Sequence, residues 1–526
     1  MPLHLPALKH GLFLGSVPEE AAARHPLTPI HLDHDMDAAP EVGRRLSVEI
    51  LAELVEDMAA RLRAAGIGPG DQVALYKSPN FDIYVLACAA ARIAATPVML
   101  SPQLDGATVT TLLSRLDRPH LVTDEEKLAL DLAGQPVREL TQTIVTVRDG
   151  PRYSVALRRF AGSPRPRPAP QDPDAPALMT HTSGTTGVPK LVVHTARSLR
   201  GRWRPQSHLA RCLPRNEPYA MHLSFVHSRV FMALAVTLPR GMPLVVIRDG
   251  SPGNVAELLA RHRPGLIETH PNSYMQWEEL ADHPLEPLSS VKYFSTTFDA
   301  IHPPTMHRLM AASRRNKPLF FQLYGQSECG PLTGRWYTAR NVHKVDGRCL
   351  GLPMPGMTHV RITPRNGRRP SRQSPGYIEV RTDGRAVNYY GEEERYAAAL
   401  HAGWWRTGDI GFRTKAGCVH LLDRAVDVIR GVDSTLELED TILGRLEELS
   451  ELVIVSGPGH TPLPVVCTRY DERLDLDRWY AAVHDIPQLA EPVQLTLEQL
   501  PRTATMKVQR LELARRLAVK RASDGS

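Results

Sequence analysis

The chain has 526 residues, 42% of them hydrophobic and 23% charged, with a formal net charge of +6. That length exceeds one ordinary core, so at least two domains are expected, and the composition is that of a globular protein. The basic residues are scattered apart from the tail Arg515–Arg521, and no apolar run reaches eighteen residues. Neither a nucleic-acid partner nor a membrane span is expected. The first twenty residues lack a basic segment followed by a sustained apolar one, and the six cysteines contain no C-x-x-C pair. A cytoplasmic location with reduced thiols follows as the expectation. Only ten of the 63 basic residues are lysines, so a lysine in a motif-like setting is informative.

In chain order, residues 1–45 read as irregular. His25, His31 and His34 near Asp33 and Asp35 read as a solvated strand and turn, since nothing fixes a tetrahedral metal set. Ser47–Ala65 has the spacing of an amphipathic helix, with Leu51, Leu54, Met58 and Leu62 on one face. QVALYK then reads as a strand, IYVLACAAARIA as a buried helix and TPVML as a strand. Thr108–Leu116 and HLVTD repeat that unit, which argues layered α/β architecture. Ala161–Pro176 is proline-rich and reads as an extended linker. LSFVHSRVFMALAV reads as a strand running into a buried helix with His227 at the junction. MPLVVI, GLIETH, Tyr293–Phe298 and Leu319–Tyr324 read as further strands. After Gly351 the texture changes to short alternating strands, a β-rich subdomain. Around Asp423–Gly431 it turns polar, and a small unit of mixed helices and strands follows. The expected fold is α/β, with a large N-terminal domain over residues 1–422, a hinge at 423–426 and a small α+β domain over 427–526.

Between those strands lies Leu178–Thr195, LMTHTSGTTGVPKLVVHT. Thr182, Ser183, Gly184, Thr185, Thr186 and Gly187 supply hydroxyls and unhindered backbone N–H groups, and Lys190 adds a mobile positive charge. Such a turn makes a concave anion site suited to a polyphosphate. It is not a Walker A loop, because the glycines are three apart and Lys190 is followed by Leu191.

Four more stretches stand in order with it: YGQSECG (Tyr324–Gly330), GWWRTGDIG (Gly403–Gly411), LLDRAVDVIRG (Leu421–Gly431) and PRTATMKVQR (Pro501–Arg510). Together the five resemble the adenylate-forming superfamily of acyl- and aryl-CoA synthetases, peptide-synthetase adenylation domains and beetle luciferases. The likeness runs from about residue 15 to about 515. It implies ATP-dependent activation of an acid to an AMP mixed anhydride, with ATP and Mg²⁺ as cofactors. The partners are a small acid and an acceptor nucleophile, whether an amine, a carrier protein or CoA. It implies that Thr182–Lys190 holds the β- and γ-phosphates and that Thr186 and Glu328 face the metal. Tyr324 would stack on adenine, Ser327 would stand at the phosphate, and Asp409 and Arg424 would bind the ribose. Lys507 would bridge the oxyanion and the α-phosphate. The acid pocket would be lined by His227, which many members keep as a gate, with Phe231, Thr297, Phe298, Asp299 and Gln326.

The sequence departs from the family pattern at four places. The hinge run, usually Gly-Arg-x-Asp-Asp, reads Asp423-Arg424-Ala425-Val426-Asp427, so a stiff valine stands at the pivot. The glycine that CoA-using members keep nine residues after the arginine counts to Asp433, unless a slip of the loop brings in Gly431. The glycine before the catalytic lysine is Met506. A Gly-Gly-Ala pocket wall reads Thr297-Phe298-Asp299. Adenylation residues are kept and thioester-forming ones are altered. The expectation is transfer to an acceptor other than free CoA, a profile shared by members that activate nitrous acid for diazo formation. An ordinary CoA ligase, or a nucleotide-binding protein without catalysis, are the alternatives.

Overall fold

A computed structural model of the protein describes residues 10–182, 188–297, 301–344, 348–365, 367–425, 429, 432, 434–486, 489–502 and 507–524. Ser183–Gly187, Phe298, Asp299, Val426, Asp427, Gly431, Asp433 and Met506 fall outside the described residues, so the expectations placed on them are not addressed by it.

The helix Val48–Ala64 starts where the sequence places a cap, with Ser47 Oγ accepting from the Ile50 N–H at 3.2 Å. Its apolar stripe is buried against the helix Asp82–Arg92, every residue of which is itself buried. Two charges go under with that second helix, and both are matched. Asp82 meets Lys77 at 2.9 Å, and Arg92 meets Glu19 at 2.6 Å and Glu56 at 2.7 Å. Removing one partner of such a pair strands a buried charge, at a cost of about 3–5 kcal/mol.

The helix also corrects one expectation. His34 follows the strand Pro29–Leu32 but is buried, not solvated. Its Nε2 accepts the Phe81 N–H at 3.1 Å, one of the backbone donors that the start of the helix leaves without an intrahelical acceptor. Asp33 holds its Nδ1 at 2.6 Å.

Among the described residues the strands form sheets of fourteen, eight and three. In the eight-stranded sheet Gln72–Leu75, Thr96–Met99, His120–Thr123 and Ile144–Thr146 run parallel. At its other side Pro176–His181 and Leu191–Thr195 form an antiparallel pair, and Asn388–Tyr389 adds to the edge. The loop 182–190 therefore leaves the end of a fixed hairpin.

The fourteen-stranded sheet changes character across its width. Tyr219–His222, Leu266–Thr269, Tyr293–Thr296 and Leu319–Gln326 are parallel, with helices between them. Beyond Leu319–Gln326 the strands are antiparallel: Gly330–Thr338, Cys349–Pro353, Val419–Arg424, Trp404–Arg413, Gly376–Thr382 and Thr358–Thr363. The parallel and β-rich halves thus share one sheet, with Tyr324 and Gln326 on the strand at the seam.

A second correction concerns 223–236. The strand here is Tyr219–His222, and residues 223–227 turn, the His227 N–H reaching the Ser224 carbonyl at 3.1 Å. His227 then caps the helix Ser228–Thr237.

At the C-terminal end Leu449–Ser456, Pro462–Thr468 and Val493–Gln494 form the small sheet. One face packs Val453, Val455 and Val465 under Leu513 and Leu517 of the helix Arg510–Asp524. The other packs Leu452 and Val466 under Ile442 and Trp479. This α+β unit is tied to the large sheet at Asp423, whose carboxylate accepts from the Thr435 N–H at 2.9 Å and hydroxyl at 2.6 Å. Arg348 reaches Glu437 at 2.8 Å across the same boundary.

Candidate active site

A cavity of about 600 Å³ opens where the base of the hairpin at Thr182, Val188 and Lys190, the seam of the large sheet and the C-terminal unit meet. Thr182, Lys190, His227, Thr297, Tyr324, Gln326, Ser327, Glu328, Asp409, Arg424 and Lys507 all line it. Those eleven positions were expected there from sequence.

Thr182 and Lys190 close the base of the loop by bonds in both directions. The Thr182 N–H meets the Lys190 carbonyl at 3.0 Å, and the Lys190 N–H meets Thr182 Oγ1 at 3.1 Å. Lys190 Nζ lies 4.9 Å from the centre of the Tyr389 ring. Burial lowers its pKa, opposed by the nearby Glu328 carboxylate. Tyr389 in turn donates its hydroxyl to Glu328 Oε1 at 2.6 Å. Burial first, then that carboxylate, pushes the phenol pKa up, so Tyr389 stays a donor. Oxygen Oε1 is thus occupied, while Oε2 is the oxygen through which Glu328 can offer a hard anionic ligand. One carboxylate with phosphate oxygens and water is what Mg²⁺ accepts, so the residues present fit that ion. Among the described residues no group of three or more His, Cys, Asp or Glu is gathered to hold a metal by protein alone.

Asp409 sits across the seam with 5% of its surface exposed. Strand pairing puts it opposite Arg424, Oδ1 lying 3.5 Å from the guanidinium Nε. Its Oδ2 accepts the Tyr324 hydroxyl and the Gln326 amide, the latter at 3.1 Å. Gln326 also donates to the Thr407 carbonyl at 2.8 Å. Gln326, expected in the acid pocket, lines the cavity and holds Asp409 together with Tyr324. Tyr324 therefore carries both an aromatic face and a fixed hydroxyl.

The turn 327–330 is held from beneath by Arg202, which the sequence reading missed. This arginine is buried on the helix Ala196–Leu209 and donates to the Gly384 carbonyl at 2.7 Å and the Ser327 carbonyl at 2.8 Å. Burial lowers its pKa to about 10, so it remains charged near neutrality. Gly330 has a φ of +71°, and a Cβ there would stand 2.8 Å from the Arg202 side chain, so both backbone and space demand glycine.

At the opposite end of the cavity stand Ser228, Arg229, Met232, Asn272, Met275 and His302. Phe231, expected in this wall, is not part of it. It is fully buried and packs on Tyr84 with ring centres 5.6 Å apart. Helical phase explains the miss: at about 100° per residue Arg229 and Met232 share a face, while Phe231 points away. His227 accepts the Arg229 N–H on Nδ1 at 3.1 Å, which leaves the ring proton on Nε2. Burial above all, then His270 and the arginines 202 and 229, lowers its pKa to about 3. His270 is lowered to about 3 by burial and by His222. These imidazoles are neutral at working pH, so His227 is a neutral hydrogen-bonding group rather than a cation.

Lys507 reaches the cavity from the C-terminal unit. Three residues on, Arg510 braces that unit by donating to Glu439 Oε2 at 2.7 Å and to the Ile454 carbonyl at 3.0 Å. The arrangement brings together a lysine at the base of the hairpin, a carboxylate–guanidinium pair beside an aromatic ring, and a second lysine arriving from the C-terminal unit.

Comparison with known proteins shows the family and the fold. The family described as AMP-binding enzyme matches residues 18–390. A 3-amino-2-hydroxy-4-methoxybenzoate diazotase of Streptomyces cremeus is 45% identical over 537 aligned positions, covering 98% of this chain and 97% of that one. A 3-aminoavenalumate diazotase from a Streptomyces species is 25% identical, covering 79% and 75% of the two chains. Among solved structures, an anthranilate CoA ligase in complex with anthranoyl-AMP gives a TM-score of 0.83 over 98% of each chain. At 17% identity that is a likeness of fold.

Proposed function

We propose that this chain, which belongs to the family of AMP-binding enzymes, activates nitrous acid with ATP and passes the nitroso group to an aromatic amine. The chain is an adenylate-forming enzyme, with a relative at 45% identity that is a diazotase. The observation that carries the reading is the meeting of Lys507 with the Asp409–Tyr324–Arg424 cluster and with Lys190 and Glu328 in one cavity. In-line attack of an oxyanion on the α-phosphorus brings two negative groups together, so the site must supply positive charge and position.

Each residue then has a task. Asp409 accepts the ribose hydroxyls and Arg424 approaches from the facing strand, while the Tyr324 ring offers adenine a stacking surface. Lys190 and the loop from Thr182 hold the outer phosphates, and the Ser327 turn stands beside them. Glu328 would hold Mg²⁺, which neutralises phosphate charge when bound with the nucleotide. Lys507 lies between the nitrite oxygen and the α-phosphate. A bond forms from that oxygen to phosphorus and the bond to pyrophosphate breaks, leaving O=N–O–AMP. The amine nitrogen attacks the nitroso nitrogen, the N–O bond breaks and AMP departs with that oxygen. One N–H proton passes to solvent, the second moves to the nitroso oxygen to give the diazohydroxide, and a proton taken back from solvent lets that hydroxyl leave as water, giving the diazonium group.

Residues 427–526 act in this reading as the unit that carries Lys507 to the site, turning about 423–426. Asp433 and Met506 replace glycines kept by CoA-using relatives, which supports an acceptor other than CoA. The test is pyrophosphate release from ATP and Mg²⁺ over a panel of carboxylic acids and nitrite, with and without CoA or an aminobenzoate. Release with nitrite, raised by the amine and unmoved by CoA, is the expected result. Release that requires a carboxylic acid and climbs only with CoA would restore the CoA-ligase reading.

A further inference from the structure

We propose that Arg229 anchors a carboxylate-binding subsite at the end of the cavity remote from Asp409, and that the aromatic amine enters as an aminoaryl carboxylate held there. The inference rests on the reading that an amine is the acceptor, and it adds which amines are taken and how they are held. A nitrite ion placed at Lys507 is too small to fill the wall of Arg229, Met232, Asn272 and Met275. That wall is left to the organic partner.

Unused hydrogen-bond donors decide what the wall prefers. Arg229 is 17% exposed on the cavity side of Glu268, which is 2% exposed. Arg229 Nε and Nη2 each meet a Glu268 oxygen at 2.5 Å, and Nη1 donates to the Gln206 side chain. Tyr219 donates to the same carboxylate at 2.8 Å. Glu268 is thereby saturated and the guanidinium plane fixed. A guanidinium has five N–H donors, so this arrangement leaves two over for a ligand. Arg202, one turn before Gln206 on the same helix face, belongs to the Ser327 turn and lies in the field of Glu328. Its Nε and Nη2 serve main-chain carbonyls, while Nη1 is buried with no hydrogen-bond partner among the described residues. His227 and His270 nearby are themselves uncharged. The two unused N–H groups of a guanidinium whose plane is fixed are matched by a planar carboxylate, which accepts at both of its oxygens.

The test compares 3-aminobenzoate with its methyl ester as acceptors for the full-length enzyme, at saturating ATP, Mg²⁺ and nitrite, following diazo product. Wild type is expected to favour the free acid on the order of 100-fold in kcat/KM, mostly through KM, as loss of a charge-assisted pair implies. Arg229→Met should erase that preference by weakening the acid and sparing the ester. Because Arg229→Met strands Glu268, the double variant Arg229→Met/Glu268→Gln is run beside it, with melting temperature as the folding check. Equal use of acid and ester by wild type would overturn the inference. So would a rise in the KM for nitrite with the amine KM unchanged, which would make this the nitrite site. If wild type releases no pyrophosphate with nitrite, the proposed function itself falls. Release without a carboxylate preference removes the subsite alone.

Discussion

The two ends of the cavity are built differently. At the nucleotide end, Tyr324, Asp409 and Arg424 are strand residues locked by pairing of Leu319–Gln326, Trp404–Arg413 and Val419–Arg424 within one sheet. At the acceptor end, Arg229, His227 and Met232 come from the first turns of a helix and its cap, backed by a buried ion pair and neutral imidazoles. Sheet register fixes the first end for a constant ligand. A helix face can exchange single side chains without disturbing register, and under the proposed function that is the end that selects the acceptor.

In the proposed reaction Lys507 serves both ends, so its loss should have the largest effect. Lys507→Ala should lower nitrite-dependent pyrophosphate release by about 100- to 1000-fold, as removal of one transition-state donor does elsewhere. The ATP-induced thermal shift should survive. Loss of ATP binding as well would move Lys507 into the nucleotide site and blur the division.

Asp409→Asn should act at one end only. The KM for ATP is expected to rise about 10- to 100-fold, the loss of one or two charge-assisted bonds, while the KM for the amine stays put. Equal changes in both would mean that the two ends are coupled.

The acceptor end should show itself in acid. His227 and His270 titrate near 3 in the folded protein against an ordinary 6.5, with burial the main cause. Between pH 6.5 and about 3 the unfolded chain binds protons that the folded one does not. Stability present above pH 6.5 is therefore lost as pH falls through that window, with each histidine adding about 1.4 kcal/mol per pH unit to the slope. Urea midpoints of His270→Gln measured at pH 5 and pH 7 should differ less than those of wild type. An unchanged difference would refute the burial assignment.

The smallest expected effect is that of Tyr389→Phe. One hydrogen bond to Glu328 is lost, worth about 1 kcal/mol, or about fivefold in activity at limiting Mg²⁺. Saturating Mg²⁺ should restore the rate; a defect that persists would place Tyr389 outside the metal's surroundings.

The same division governs what the sequence reveals. Tyr324, Asp409, Arg424 and Lys507 sit in short local runs whose order is readable, and the strand and helix alternation before residue 130 reads directly from apolar spacing. Arg202 lies in RSLRGRWR, where it looks like any charge on a surface helix. Only the fold shows it under Ser327 and Gly384, more than a hundred residues away. The Arg229–Glu268 pair joins two elements across 39 residues, and no local pattern announces it. Phe231 failed for a subtler reason: a helix next to a pocket offers only some of its positions to it, and hydrophobicity does not tell which. His34 read as polar and solvated, although the start of a buried helix needed an acceptor.

The oxygen lost from nitrite offers the most direct test of nitrosyl activation. The purified enzyme would turn over ¹⁸O-labelled nitrite, ATP, Mg²⁺ and 3-aminobenzoate in unlabelled water, and the AMP would be examined by mass spectrometry. Attack of nitrite on the α-phosphate, followed by N–O cleavage, predicts one ¹⁸O atom in the phosphate of AMP. Unlabelled AMP formed in step with the diazonium product would contradict the account, because the α-phosphate would then have been opened by something other than nitrite.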